Sequence, residues 1–257
     1  MRLFQLVVAT VGLLASCQGL AQIPETSSQL LLTITEDWDA DTGVMYQFER
    51  AKGGWEGVAE PVPVNIGRTG LAWGIGLHPQ QQGPQKREGD GKAPAGIFRL
   101  GDAFGYAPTV ETGLAYWPMK ETHFCVDVPE SPLYNRTVDT EEVGRAAVEG
   151  SSEGMRRDIH YGDQQYKKGI FVAHNPENQP GAGSCIFIHL WKAPGAPTAG
   201  CTAFAEPQMD RVLARLQRGA RPLYVALPRA EYLRLRDSWS LPALPVGDGD
   251  SEGNSLR

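Results

Sequence analysis

The residues with the most chemical promise are His189 and Cys201, the ends of a stretch that reads HLWKAPGAPTAGC. An apolar run, Cys185-Ile186-Phe187-Ile188, precedes it, and the sequence pattern places a helix soon after it. A histidine at a strand end and a cysteine in a Gly/Pro-rich turn before a helix suit a thiol nucleophile and its base. A free thiol has a pKa of about 8.5 and is mostly protonated at neutral pH. A neighbouring imidazole and the positive end of a helix both lower that value. The expectation is therefore an exposed, thiolate-forming Cys201, with His189 taking the proton, and the matching chemistry is acyl transfer.

Positioning such a pair requires strands. Residues 29–35 (QLLLTIT) read as a strand, a turn follows at 39–43, and residues 44–50 alternate as a second strand, forming a hairpin. Residues 62–66, 97–100 and 223–227 read as further strands. Residues 169–174 (GIFVAH) and 184–189 look like two central strands carrying His174 and His189 at their ends. The clearest helix spans 207–218: Pro207 suits its first turn, Gly219 suits its C-terminal cap, and Met209, Val212, Leu213 and Leu216 form one apolar face. Residues 229–239 predict a last helix. Residues 137–153 are polar and read as an exposed insertion.

Thirty glycines and nineteen prolines in 257 residues favour a mainly β, turn-rich domain with one or two flanking helices. The net charge of −6 argues against a nucleic-acid partner. Arg2 and the apolar residues 3–15 form a targeting segment too short to span a bilayer. Leu14-Ala15-Ser16-Cys17 resembles a bacterial lipobox, whose cysteine carries a lipid anchor. Gly19-Leu20-Ala21 suits ordinary cleavage before Gln22 instead. Either route exports the chain to the periplasm or cell envelope. The expected organisation is a signal peptide over 1–21, a catalytic domain over 25–240 and a disordered tail over 241–257. Cys125 and Cys185 are either a disulfide or two buried thiols. Buried thiols are the preferred reading, since no further pair suggests a disulfide framework. His174, His189 and Cys201 lack a compact ligand pair of the C-x-x-C or H-x-x-x-H kind, so no metal or other cofactor is expected.

Five blocks in order carry a family resemblance: residues 70–78 (GLAWGIGLH), 89–98 (GDGKAPAGIF), 127–135 (DVPESPLYN), 183–189 (GSCIFIH) and 197–201 (PTAGC). Together the blocks are similar to the L,D-transpeptidase catalytic domain of the YkuD-like type, in a Thr-Ala-Gly-Cys variant. The resemblance implies a β-sandwich or barrel-type domain acting on peptidoglycan stem peptides. Cys201 would form a thioester with a stem tetrapeptide, and an acceptor amine would receive the acyl group. It implies Cys201 as nucleophile, His189 as base, and Gly200 with the Cys201 and Thr202 N–H groups as an oxyanion hole. Thr198, His174, Tyr134 and Asn135 are candidate substrate contacts. Ala199 stands where many members have histidine, and Thr202-Ala203-Phe204 lacks the cation or amide many members carry there. The carboxylate partner for a donor is therefore missing from that position. Water as acceptor, giving an L,D-carboxypeptidase or amidase, and a catalytically inactive wall-binding lipoprotein are the alternatives.

Overall fold

The computed structural model describes residues 23–245, so the expected signal peptide, the expected anchor Cys17 and most of the expected tail lie outside the described residues. Among the described residues, no helix is long and apolar enough to cross a membrane.

The expected hairpin forms: β1 (Gln29–Thr35) pairs antiparallel with β2 (Thr42–Ala51), with Leu30 opposite Phe48 and Ile34 opposite Val44. The chain continues through β3 (Gly54–Gly57), β4 (Val62–Asn65), β5 (Leu71–Trp73) and the long β6 (Ala93–Gly105). An excursion follows, built from β7 (Tyr116–Pro118), β8 (His123–Cys125), β9 (Thr137–Asp139), α1 (Thr140–Val143), β10 (Glu153–Gly154) and α2 (Arg157–His160). The chain then returns through β11 (Lys168–Val172), β12 (Phe187–Leu190), β13 (Thr202–Phe204), α3 (Glu206–Arg215), β14 (Leu223–Pro228) and α4 (Arg229–Trp239). The order β1-β14-β6-β11-β12-β13-β4-β2, with β2 returning to β1, closes an 8-strand barrel. Closure leaves those strands without free edges. The fold is thus mainly β with flanking helices, as the Gly/Pro-rich composition and strand periodicity predicted.

Alternation along the strands sorts side chains onto two faces. Ile170, Ile188, Leu190 and Phe204 join the main core. Phe104, Phe187 and Cys201 belong to a second apolar cluster with Met119, Cys125, Met155, Tyr166 and Cys185. Four residues of that cluster, Met119, Cys125, Met155 and Tyr166, come from the excursion. It therefore covers the barrel wall carrying Cys201, and its own three strands pair in the order β10-β8-β9.

Four expectations are corrected. First, Cys125 and Cys185 form a disulfide rather than two buried thiols. The positions are 60 residues apart in sequence, and the excursion brings their Cα atoms to 5.9 Å, within bridging range. Second, residues 137–153 are not wholly an exposed insertion. β9 and β10 flank β8, and Val148 is buried with Phe124 and Val126, while the longest exposed run is residues 141–146. Third, the 207–218 helix stops at Arg215, although its predicted apolar face is buried. The Leu216 carbonyl accepts the Gly113 N–H, and the Gln217 N–H donates to the Gln29 side-chain oxygen Oε1, so tertiary bonds replace the last helical turn. Gly219 then sits inside a short 3-10 turn, Arg218–Ala220, rather than capping α3. Fourth, the chain is still ordered where the tail was to begin. Leu241 is buried, and the Tyr232 hydroxyl donates to the Pro242 carbonyl.

Candidate active site

β12 and β13 run parallel, with Ile188 opposite Thr202 and His189 opposite Ala203. That register puts Cys201 beside Phe187, one diagonal step from His189, on the excursion-covered face. The Phe187 N–H donates to Cys201 Sγ at 3.3 Å, and the thiol points to the Cys185 carbonyl at 3.6 Å. His189 Nδ1 lies 2.8 Å from the Leu190 carbonyl. A carbonyl can only accept, so the proton sits on Nδ1 and the lone pair on Nε2. This carbonyl is the orienting partner of His189 that the linear sequence did not identify.

The expected thiolate is not the resting state. Cys201 is 7% exposed and His189 3%. Burial, reinforced by the Glu153 carboxylate, pushes the Cys201 thiol up to about 12, with the Phe187 N–H opposing it. Burial also lowers His189 to about 4. The helix-dipole contribution fails because strand β13 intervenes and α3 begins only at Glu206. The pair therefore rests as a neutral thiol beside a neutral imidazole, and desolvation outweighs the favourable N–H contact.

The turn presenting Cys201 is tied at several points. Thr198 Oγ1 donates to the Cys201 carbonyl at 2.6 Å and accepts the Gly200 N–H at 3.1 Å. Its backbone bonds Ile66 and Arg68. Thr198 thus holds the turn and makes no bond to His189. The Gly200 N–H is already engaged by Thr198, while a Cβ at Gly200 would stand 2.9 Å from the Lys92 carbonyl oxygen. Asn65 at the end of β4 closes the other half of the loop. Its Nδ2 donates to Ala193 and Ala196, and its Oδ1 accepts the Gly195 N–H.

The remaining candidates lie further back. His174 has both ring nitrogens engaged, Nδ1 accepting the Ile75 N–H at 3.2 Å and Nε2 donating to the Ala182 carbonyl at 3.0 Å. Asn135 stands at φ 60° and bonds the His174 and Asn175 carbonyls and the Cys185 N–H. Both line a cavity of about 310 Å³ whose lining does not include Cys201. Tyr134 is buried behind Glu88: its hydroxyl donates to Glu88 Oε2 and accepts the Gly183 N–H.

Cys201 itself opens on a separate cavity of about 180 Å³, lined also by Gly200, Ser184, Glu88, Asp127 and Glu153. Arg68 and Lys86 line it as well. Lys86 is bound to Asp90 at 2.5 Å, whereas Arg68 is solvent-exposed. Glu153 Oε2 accepts the Tyr166 hydroxyl at 2.6 Å, and the Tyr166 ring meets His189 edge-on at 5.1 Å. Sequence reasoning missed Glu153, Tyr166, Glu88 and Asn65, and no motif signal marks them. Asp127 begins one of the family-like blocks, which was the available hint.

Fold and site together define a β-barrel domain in which Cys201 lines a cavity of mixed charge and His189 is buried one diagonal strand step behind it. No family model matches the chain, and no curated protein matches it. Among solved structures it is similar to the helical cell shape determining protein Pgp2 from Campylobacter jejuni, with a TM-score of 0.37 and 13% identity. The match covers 79% of this chain and 49% of that one, so the chain spans about half the length of that protein.

Proposed function

We propose that this chain is a peptidoglycan L,D-transpeptidase in which Cys201 takes the acyl group of a stem tetrapeptide as a thioester and passes it to an acceptor amine. The observation that supports this best is the placement of a free cysteine thiol on a cavity of about 180 Å³, one diagonal strand step from a neutral histidine. A neutral imidazole with its Nε2 lone pair available is the form a general base needs. A thiol that ionises only on transfer of its proton to that base gives a nucleophile formed at the moment of attack. The Thr198-tied turn and the Asn65-tied loop hold sulfur and imidazole on adjacent strands, which is the fixed geometry that acyl transfer requires.

The test is mass spectrometry of products when the protein meets disaccharide-tetrapeptide muropeptides, with Cys201→Ala as control. Cross-linked dimers lacking one terminal D-Ala, absent with the variant, support transpeptidation. Tripeptide alone makes water the acceptor and the chain an L,D-carboxypeptidase. Products formed equally by Cys201→Ala remove Cys201 from the chemistry.

A further inference from the structure

We infer that Glu153 is a second acid–base residue of the Cys201 site, the group that takes a proton from an ammonium-bearing acceptor before the amine attacks the acyl thioester. This rests on the thioester reading above. Glu153 opens β10 and stands opposite Cys125, which the disulfide joins to Cys185. The Cys185 carbonyl is in turn a partner of the Cys201 thiol. A strand pairing, the disulfide and a thiol–carbonyl contact thus connect Glu153 to Cys201, and both line the same cavity.

The groups facing Glu153 come from every surrounding element. Tyr166 precedes β11, Arg157 lies on α2, Asp127 follows β8, and Glu88 comes from the loop before β6. Lys86 and Arg68 also line the cavity. The two neighbouring carboxylates are each bonded more than once. Glu88 accepts from the Tyr134 and Ser184 hydroxyls, and Asp127 from the Ser152 N–H and hydroxyl. Among the described residues, the Tyr166 hydroxyl alone hydrogen-bonds to the Glu153 carboxylate. Its second oxygen is therefore free for a ligand. Burial, with Asp127 and Glu88 adding to it, holds Glu153 up to about 7, close to the pH at which it would act.

The step balances. An acceptor R–NH3+ gives one proton to the Glu153 carboxylate. The freed amine attacks the thioester carbonyl carbon, the C–N bond forms and the C–S bond breaks. The second amine proton passes through His189 to the departing sulfur and restores the Cys201 thiol. Glu153 then returns its proton to solvent.

The experiment compares wild type, Glu153→Gln and Tyr166→Phe, each loaded with tetrapeptide donor. The fraction of Cys201 held as acyl-enzyme is read by intact mass, and transfer is followed to an amine protonated at pH 7 or to hydroxylamine, which is neutral there. Expected for Glu153→Gln is accumulated acyl-enzyme, transfer to the protonated amine slower by about 10²–10⁴-fold, and release restored by hydroxylamine. Tyr166→Phe removes a bond that favours the carboxylate, so the acidic limb of transfer should move to higher pH. The second variant keeps the proposal testable if Glu153→Gln does not fold. Wild-type transfer rates in Glu153→Gln, or an unmoved acidic limb in Tyr166→Phe, overturn the role of Glu153. Absence of any acyl adduct on wild-type Cys201 overturns the thioester reading itself and this inference with it.

Discussion

At the scale of single residues, burial decides the state of the site. Cys201 sits near a histidine and accepts an N–H, yet desolvation dominates and its thiol is pushed up to about 12. Its alkylation by iodoacetamide should therefore be slow at pH 7 and rise about tenfold per pH unit, without a plateau near 8.5. The alkylated peptide, quantified by mass spectrometry across pH, checks this; a plateau at neutral pH would mean an ionised resting thiol. His189 is shifted the other way, to about 4. A base with a lowered pKa stays unprotonated until the pH falls through that value. Acyl-enzyme formation should thus show no loss from His189 protonation between pH 7 and 5. His189→Ala should slow that step by about 10²–10⁴-fold, measured by single-turnover acylation.

At the scale of elements, the excursion is the decisive addition to the barrel. It supplies Met119, Met155 and Tyr166 to the apolar cluster around Cys201 and carries Glu153 to the cavity. The Cys125–Cys185 bond staples it to the barrel wall and closes a loop with a sequence separation of 60. Loop-closure entropy for that length corresponds to about 4 kcal/mol of stability. The double substitution Cys125→Ser with Cys185→Ser should lower the unfolding free energy by roughly that amount in urea titrations. It should also slow acylation, because the bridge holds in place the Cys185 segment that lines the cavity and whose backbone carbonyl contacts the thiol. β6 depends on another close approach. Gly96 lies at φ +131°, and a Cβ there would fall 1.9 Å from the His78 ring, whose Nδ1 accepts the Ile97 N–H.

At the scale of the whole molecule, buried histidines shape the response to acid. Burial lowers His78, His174 and His189 each to about 4 from an ordinary value of 6.5. Between those values the unfolded chain binds more protons at these positions than the folded one, so stability falls as pH drops from about 6.5 towards 4. His123, also buried, is lowered too, whereas Glu153, raised to about 7, acts in the opposite sense over part of that range. The thermal midpoint should therefore decline between pH 7 and 4.5. A midpoint that holds or rises over that interval would contradict neutral burial of these histidines.

Several features of this protein were legible from local order alone. The β1–β2 hairpin follows from alternation and a turn, α4 from its residue pattern, and the buried face of α3 from the spacing of Met209, Val212, Leu213 and Leu216. Short-range sterics and periodicity act within a few residues, so a linear reading captures them. His189 and Cys201 stood out because their chemistry and strand-turn context are also local. The end of α3, the Cys125–Cys185 bond, the engaged nitrogens of His174 and the Glu153–Tyr166 pair beside Cys201 depend on contacts between distant segments. Only the closed barrel and its covering excursion bring those groups together. Ionisation followed the same division: the sequence pointed to a thiolate, and the low polarity of the folded interior made it a thiol.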